Sequence, residues 1–335
     1  MRLWTPVPRR LALVAAALLA LTACGDGGGG TAGGPVDPAD LVALEGEQRS
    51  VTVGVLRQPH LSHPLFYDRF LPENVTLDIV PFANSTEIKN AVVSGDLTFG
   101  VTGITAALQG AANAEPVVVV AAAADGGSAI VAGEESGIGD VADLRGKRIG
   151  YVPGSAQDIL LRLTLTDAGI DPATDVDLVN VQFADMPAAL ARGDIDAFSG
   201  AETGPSDALV RGGSVVVTKP YDTAMGKINI IMATSESVIA ADPELVQAMV
   251  EVHARATEYM RDNPDVWAEA VVDKYGFSAE SLELAVPNIE LRWQIDDDYQ
   301  AQTRVLGEQQ FELDQIQGEP DYERFIDPSF VQELM

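Results

Sequence analysis

The sequence predicts an α/β chain folded as two lobes, each a mostly parallel sheet flanked by helices, followed by a helical C-terminal tail. Three observations predict it. Strand-like apolar runs alternate with helix-period stretches from about residue 49 to residue 234, the pattern of a parallel sheet with helices on its faces. The pattern restarts near Asp140, and Ala-Leu-Ala-Arg-Gly-Asp-Ile-Asp-Ala (189–197) mirrors Ala-Val-Val-Ser-Gly-Asp-Leu-Thr-Phe (91–99) as "helix, Gly-Asp, strand". From Asp242 the alternation stops, and Leu245, Met249, Val252, Ala256 and Met260 recur at helical spacing.

The chain opens with basic residues (Arg2, Arg9, Arg10), an apolar run over 11–21 and small residues before Cys24, the pattern of a secretory signal. That run is too short for the roughly 20 residues of a membrane span. Leu21-Thr22-Ala23-Cys24 resembles a bacterial lipobox, which implies cleavage after residue 23 and lipid attachment at Cys24. Residues 24–48 read as a flexible Gly-rich linker. Cys24 is the sole cysteine, which excludes an intramolecular disulfide and a cysteine metal cluster. The formal charge of −29, near −32 without the signal, repels phosphate backbones and excludes nucleic-acid binding. It favours a soluble monomer.

Residues 50–56 form the first strand, ending in Arg57-Gln58-Pro59-His60-Leu61-Ser62-His63-Pro64, where Ser62 is placed to cap a helix. Strands follow over 75–81 and 97–101, each leading into a helix (85–94 and 106–112). The apolar run 117–122 reads as a strand buried on both faces, and 129–132 as another short one. In the second lobe a short helix near 140–144 leads into a strand over 148–152. Pro153 and Gly154 break that strand, and Ser155 caps the helix carrying Ile159, Leu160, Leu163 and Leu165. Such a turn aims free N–H groups and a helix dipole at one spot, suited to an anion or polar ligand. Strands are expected at 177–181, 195–199, 215–218 and 227–234, and a last long helix at 302–316. The tail is expected to pack mainly on the first lobe, with the chain crossing between lobes twice. The boundaries read as 49–135 and 229–335 for lobe I and 136–228 for lobe II.

Ligands of such sheets sit beyond the carboxyl ends of the strands. Three strand-to-helix segments occupy that position: 58–63, 102–105 and 153–157. Arg57 neutralises an anion there or is a solvated rim charge. His60 reads as a ligand contact and His63 as lying inside or beside the helix start; as His-x-x-His the two would be a metal pair, but with only His253 besides them no metal site is assigned. Lys227 reads as a structural ion pair near the hinge, and Trp267 and Trp293 as core.

Several motifs together resemble the solute-binding lipoproteins of ABC importers, within the type II periplasmic-binding-protein-like fold. The resemblance is narrower to the nitrate/sulfonate/taurine and thiamine-precursor group. The motifs are Ser94-Gly-Asp-Leu-Thr-Phe-Gly-Val-Thr-Gly103, Val141-Ala-Asp-Leu-Arg-Gly-Lys-Arg-Ile149, Pro153-Gly154-Ser155, Leu190-Ala-Arg-Gly-Asp-Ile-Asp-Ala197, Asp242-Pro-Glu-Leu-Val and Asn263-Pro-Asp265. The resemblance implies a clamp that closes on a small polar or heteroaromatic solute and delivers it to a membrane permease with its ATPase, held by its lipid on the outer face of the cell membrane. It implies ligand contacts at Gln58 and His60, at Thr102, Gly103 and Ile104, at Gly154, Ser155 and Ala156, and in the loop at Glu202. The acid of that last loop is present, without the aromatic and proline many members carry. Glu202 facing the cleft would bind an amine or a ring N–H, or simply solvate the loop. No cofactor and no catalytic constellation is assigned; the competing classes are an extracytoplasmic enzyme and a lipoprotein presenting its ligand to a sensor.

Overall fold

The computed structural model describes residues 41–335. The expected signal, linker and Cys24 fall outside the described residues, apart from the last residues of that linker. The first sheet is built from β1 (Arg49–Leu56), β2 (Val75–Phe82), β3 (Phe99–Gly103) and β4 (Val117–Gly126), with α1 (Ser85–Ser94) and α2 (Ile104–Ala112) between them. Asn84 starts α1 by accepting the Glu87 N–H at 2.9 Å, and Gly95 ends it in the left-handed region. All ten residues of β4 are buried, as the apolar run predicts. β5 (Ser128–Gly133) follows after the single residue Gly127.

β5 pairs with β8, not with the first sheet, so the chain crosses at Gly126–Gly127 rather than at the expected 135/136 boundary. Two consecutive glycines with φ of 77° and 72° make the crossing, a conformation that side chains resist. A Cβ on Gly126 would stand 2.6 Å from the Asn288 carbonyl oxygen. The second sheet adds β6 (Arg148–Tyr151), α3 (Ala156–Asp167), β7 (Asp177–Asn180), α4 (Met186–Arg192), β8 (Ala197–Ala201), α5 (Gly204–Arg211) and β9 (Ser214–Thr218). The chain returns through residues 219–227 to β10 (Ile228–Ser235), which lies between β3 and β4.

The strand orders are β11-β4-β10-β3-β1-β2 and β7-β6-β8-β5-β9. Both sheets are mixed, which corrects the mostly parallel expectation. The β1–β2, β1–β3, β6–β7 and β6–β8 pairs are parallel, whereas the strands next to the crossings (β4, β5, β9, β10) pair antiparallel. A strand that returns directly from the other lobe enters its sheet from the end opposite to one fed by a helical crossover.

The tail comprises α6 (Glu236–Ala241), α7 (Pro243–Asp262), α8 (Pro264–Tyr275), α9 (Ala279–Ala285), the edge strand β11 (Ile289–Leu291) and α10 (Asp297–Glu312), then two short helical turns. The last long helix starts five residues earlier than expected and ends four earlier, because Asp296 caps it through the Tyr299 N–H at 2.7 Å. α7 lies on the first sheet, with Val246, Met249, Val250 and Val252 in the same core as β4 and β10. α9 instead packs on α5 of the second lobe, where Ser281 hydrogen-bonds Asp207. Trp267 and Trp293 are buried, and Lys227 pairs with Glu290 at 3.4 Å.

Candidate functional site: a cleft between the two sheets

Parallel strands that share a direction end on the same side, and in both sheets those ends face one cleft of about 470 Å³. That size suits a small solute. From the first sheet come residues 56–58, 60 and 61 after β1, 82–86 after β2, and 103, 105 and 106 after β3; from the second come 152–157 after β6, 182–184 after β7 and Ala201 at the end of β8. Asn229 and Ile230 join them because β10 runs antiparallel to β3, which sets Ile230 opposite Gly103.

Of the residues expected at the ligand, Arg57, Gln58, His60, Gly103, Gly154, Ser155 and Ala156 line the cleft. Thr102 and Ile104 are fully buried and do not line it: the Thr102 hydroxyl donates to the Ser85 carbonyl at 3.3 Å, and Ile104 joins the core. Glu202 does not line it either. Its carboxylate accepts from Ser206 Oγ at 2.7 Å and from Asn288 Nδ2 at 3.0 Å, and the side chain is turned into the hinge. Burial raises its pKa, which those two donors only partly offset.

Three helix starts converge on the cleft. Ser85 and Thr86 open α1, Thr105 and Ala106 lie in the first turn of α2, and Ala156 and Gln157 open α3. First-turn N–H groups have no partner within their helix, so the convergence makes this surface electropositive. The turn before α3 is held from within. Gly154 takes φ of 75°, Ser155 Oγ accepts the Asp158 N–H at 3.2 Å, and the same hydroxyl donates to the Val152 carbonyl at 2.7 Å. A serine cap of this kind is worth about 1 kcal/mol.

Some polar groups of the cleft are left open. Among the described residues Arg57 makes no hydrogen bond or ion pair, and Gln58 Oε1 and His60 Nδ1 are buried without a partner. Burial lowers the His60 pKa to about 3, so its ring is neutral. His63 turns away into the core, its ring centroid 4.8 Å from that of His253. His253 donates from Nε2 to the Ala122 carbonyl (2.8 Å), which leaves Nδ1 to accept the Tyr67 hydroxyl (2.7 Å). Ser62, read as a helix cap, makes no side-chain cap. It donates to the Pro59 carbonyl at 2.6 Å and accepts Trp267 Nε1 at 2.8 Å, which ties the His60 loop to α8.

Sequence reasoning missed Asn84, Ser85, Thr86, Gln182, Phe183 and Asn229. The strand-end rule applied to three loops reaches 84–86 and 182–184 when extended to the loops after β2 and β7. Asn229 carries no such signal, since it sits at the start of a strand. A larger and more open groove of about 680 Å³ runs along the tail past Trp267, Ile289 and Arg292. It is made of tail residues alone, so movement of one lobe against the other would enclose nothing in it.

A cleft between two mixed sheets joined by two crossings defines a two-lobed clamp of the periplasmic-binding-protein type. The chain belongs to the NMT1/THI5 like family, whose model matches residues 70–266. It is 32% identical over 163 residues to an Escherichia coli (strain K12) protein named for binding aliphatic sulfonates, which covers 48% of this chain; the chain spans about half (50%) of that relative. The crystal structure of the periplasmic aliphatic sulphonate binding protein SsuA from Escherichia coli has the same fold, with a TM-score of 0.72 at 20% identity over 83% of this chain and 92% of that one. So does the periplasmic nitrate-binding protein NrtA from Synechocystis PCC 6803, with a TM-score of 0.71 at 13% identity over 86% and 88%.

Proposed function

We propose that this chain is the extracytoplasmic solute-binding component of an ABC importer, which captures a small polar or heteroaromatic solute between its lobes and hands it to a membrane permease and its ATPase. The observation that carries this is the cleft itself. Loops from both sheets meet there with unpartnered polar groups, next to glycine crossings that let one sheet move against the other. Hinge closure lets a solute favour the closed state through contacts that both lobes supply. The names of the relatives, for sulfonate and nitrate, support a solute of that size and polarity. The protein works as a monomer and binds without turnover. It is held at the outer face of the membrane through Cys24, and Cys24→Ala releases it to the soluble fraction.

The test is a thermal-shift screen of the body from residue 41 with sulfonates, nitrate, pyrimidines, carboxylates and amines, followed by small-angle scattering with the best solute. A solute at about a hundred times its Kd adds roughly 2.7 kcal/mol, and each kcal/mol moves Tm by about 2–4 °C. The expected result is a shift with one solute class, a smaller radius of gyration in its presence and the solute recovered unchanged. Ser155→Trp fills the cleft and is expected to abolish that shift while the variant stays folded. Conversion of the solute to a product, or a shift that survives Ser155→Trp, overturns this reading.

A further inference from the structure

Three carboxylates flank the cleft, and each is already occupied by donors of its own surroundings. Glu202 takes Ser206 and Asn288. Asp158 takes the Gly154 N–H at 2.9 Å, Arg162 Nε at 2.6 Å and Gln315 Nε2 at 3.1 Å. Glu87 takes the Ala83 N–H at 3.3 Å and Asn84 Nδ2 at 3.0 Å. None of the three lines the cleft, whose only charged side chain is Arg57. The remaining polar lining consists of carboxamides, hydroxyls and the neutral His60, with the rings of Phe82 and Phe183 from the two lobes beside them.

Resting on the solute-binding reading above, we propose that the cargo carries a negative charge or none and has no protonated amine, and that the ammonium group is what this cleft rejects. An ammonium enclosed there would lose its water, meet no carboxylate and face Arg57 and three helix starts of the same sign. An anion meets the opposite situation, and a neutral ring can use the amides and the two phenyl faces. Taurine, an aminosulfonate, is thereby separated from simple sulfonates.

The experiment is titration calorimetry of the full chain with pairs that differ by one amine: ethanesulfonate and taurine, 4-methylbenzoate and 4-(aminomethyl)benzoate, 4-methylbenzamide and 4-(aminomethyl)benzamide. In each pair that binds, the amine member is expected to bind at least a hundredfold more weakly. Gln58→Glu, which is isosteric and adds a carboxylate at an oxygen that now has no partner, is expected to shrink that ratio at least tenfold. Glu202→Gln keeps an acceptor for Asn288 and is expected to leave the ratio within twofold. The inference fails if an amine member binds as tightly as its parent. It also fails if Glu202→Gln changes the ratio, or if no pair binds while another solute does. Absence of saturable binding by any solute is a different outcome, which overturns the solute-binding reading itself.

Discussion

The cleft and the hinge lie side by side, are built from the same amides and hydroxyls, and treat them in opposite ways. In the hinge, Tyr221, Asn229 and Asn288 find partners. Tyr221 Oη accepts the Ser128 N–H at 2.7 Å and donates to the Ser128 carbonyl at 3.0 Å; Asn288 Nδ2 serves Ser128 and Glu202; Asn229 Nδ2 donates to the Gly126 carbonyl at 2.6 Å. The Asn288 carbonyl in turn accepts the Gly127 N–H at 2.9 Å. In the cleft, Gln58 Oε1 and His60 Nδ1 have no partner. A buried polar group without a partner costs free energy that a matched one does not. The matched groups of the hinge therefore contribute stability that the open groups of the cleft do not.

That contrast can be broken most severely at the hinge backbone. Gly126→Val places a β-branched side chain at a positive φ and against a backbone oxygen, and is expected to cost at least about 3 kcal/mol, roughly 10 °C in Tm, by calorimetry.

Acid is the next largest lever, and it acts on both regions with calculable sign. Burial lowers His60 to about 3 and His253 to about 4, whereas in the unfolded chain both take a proton near 6.5. Between those values the unfolded state binds more protons, so stability is full above about pH 6.5 and falls as pH drops toward 4. The buried Glu202 and Asp125, whose pKa values burial raises, act in the opposite direction. His253 alone is expected to remove about 2 kcal/mol between pH 6.5 and 4.5. His253→Gln, which can still serve Ala122 and Tyr67, should flatten the Tm–pH curve by that amount.

Asn288→Ala removes the donor to Ser128 and to the buried Glu202 carboxylate, and a loss of about 2 kcal/mol in denaturant unfolding is expected. Gln58→Leu sharpens the comparison from the other side. It removes an unpartnered group from the cleft, so stability should change by less than about 0.5 kcal/mol while solute binding weakens.

Most strands could be read from their apolar runs, and the cleft could be placed from the rule that ligands lie beyond strand ends. What the sequence left hidden depended on partners distant along the chain. The apolar run now β5 carries no mark of which sheet it joins; its pairing with β8, some seventy residues on, decides that. Glu202 matched a family pattern, but Asn288, 86 residues later, draws its carboxylate out of the cleft. The start of α10 lies five residues before the expected 302, at Asp296, Asp297 and Asp298. An acid-rich first turn is what a helix N-terminus favours.

The bond between Trp267 and Ser62 spans 205 residues and anchors the loop that carries His60. A growing polypeptide therefore lacks this anchor until about four-fifths of the chain has been made. Contacts this distant in sequence are slow to form. A chain cut short of Trp267 lacks the bond that holds the His60 loop against α8.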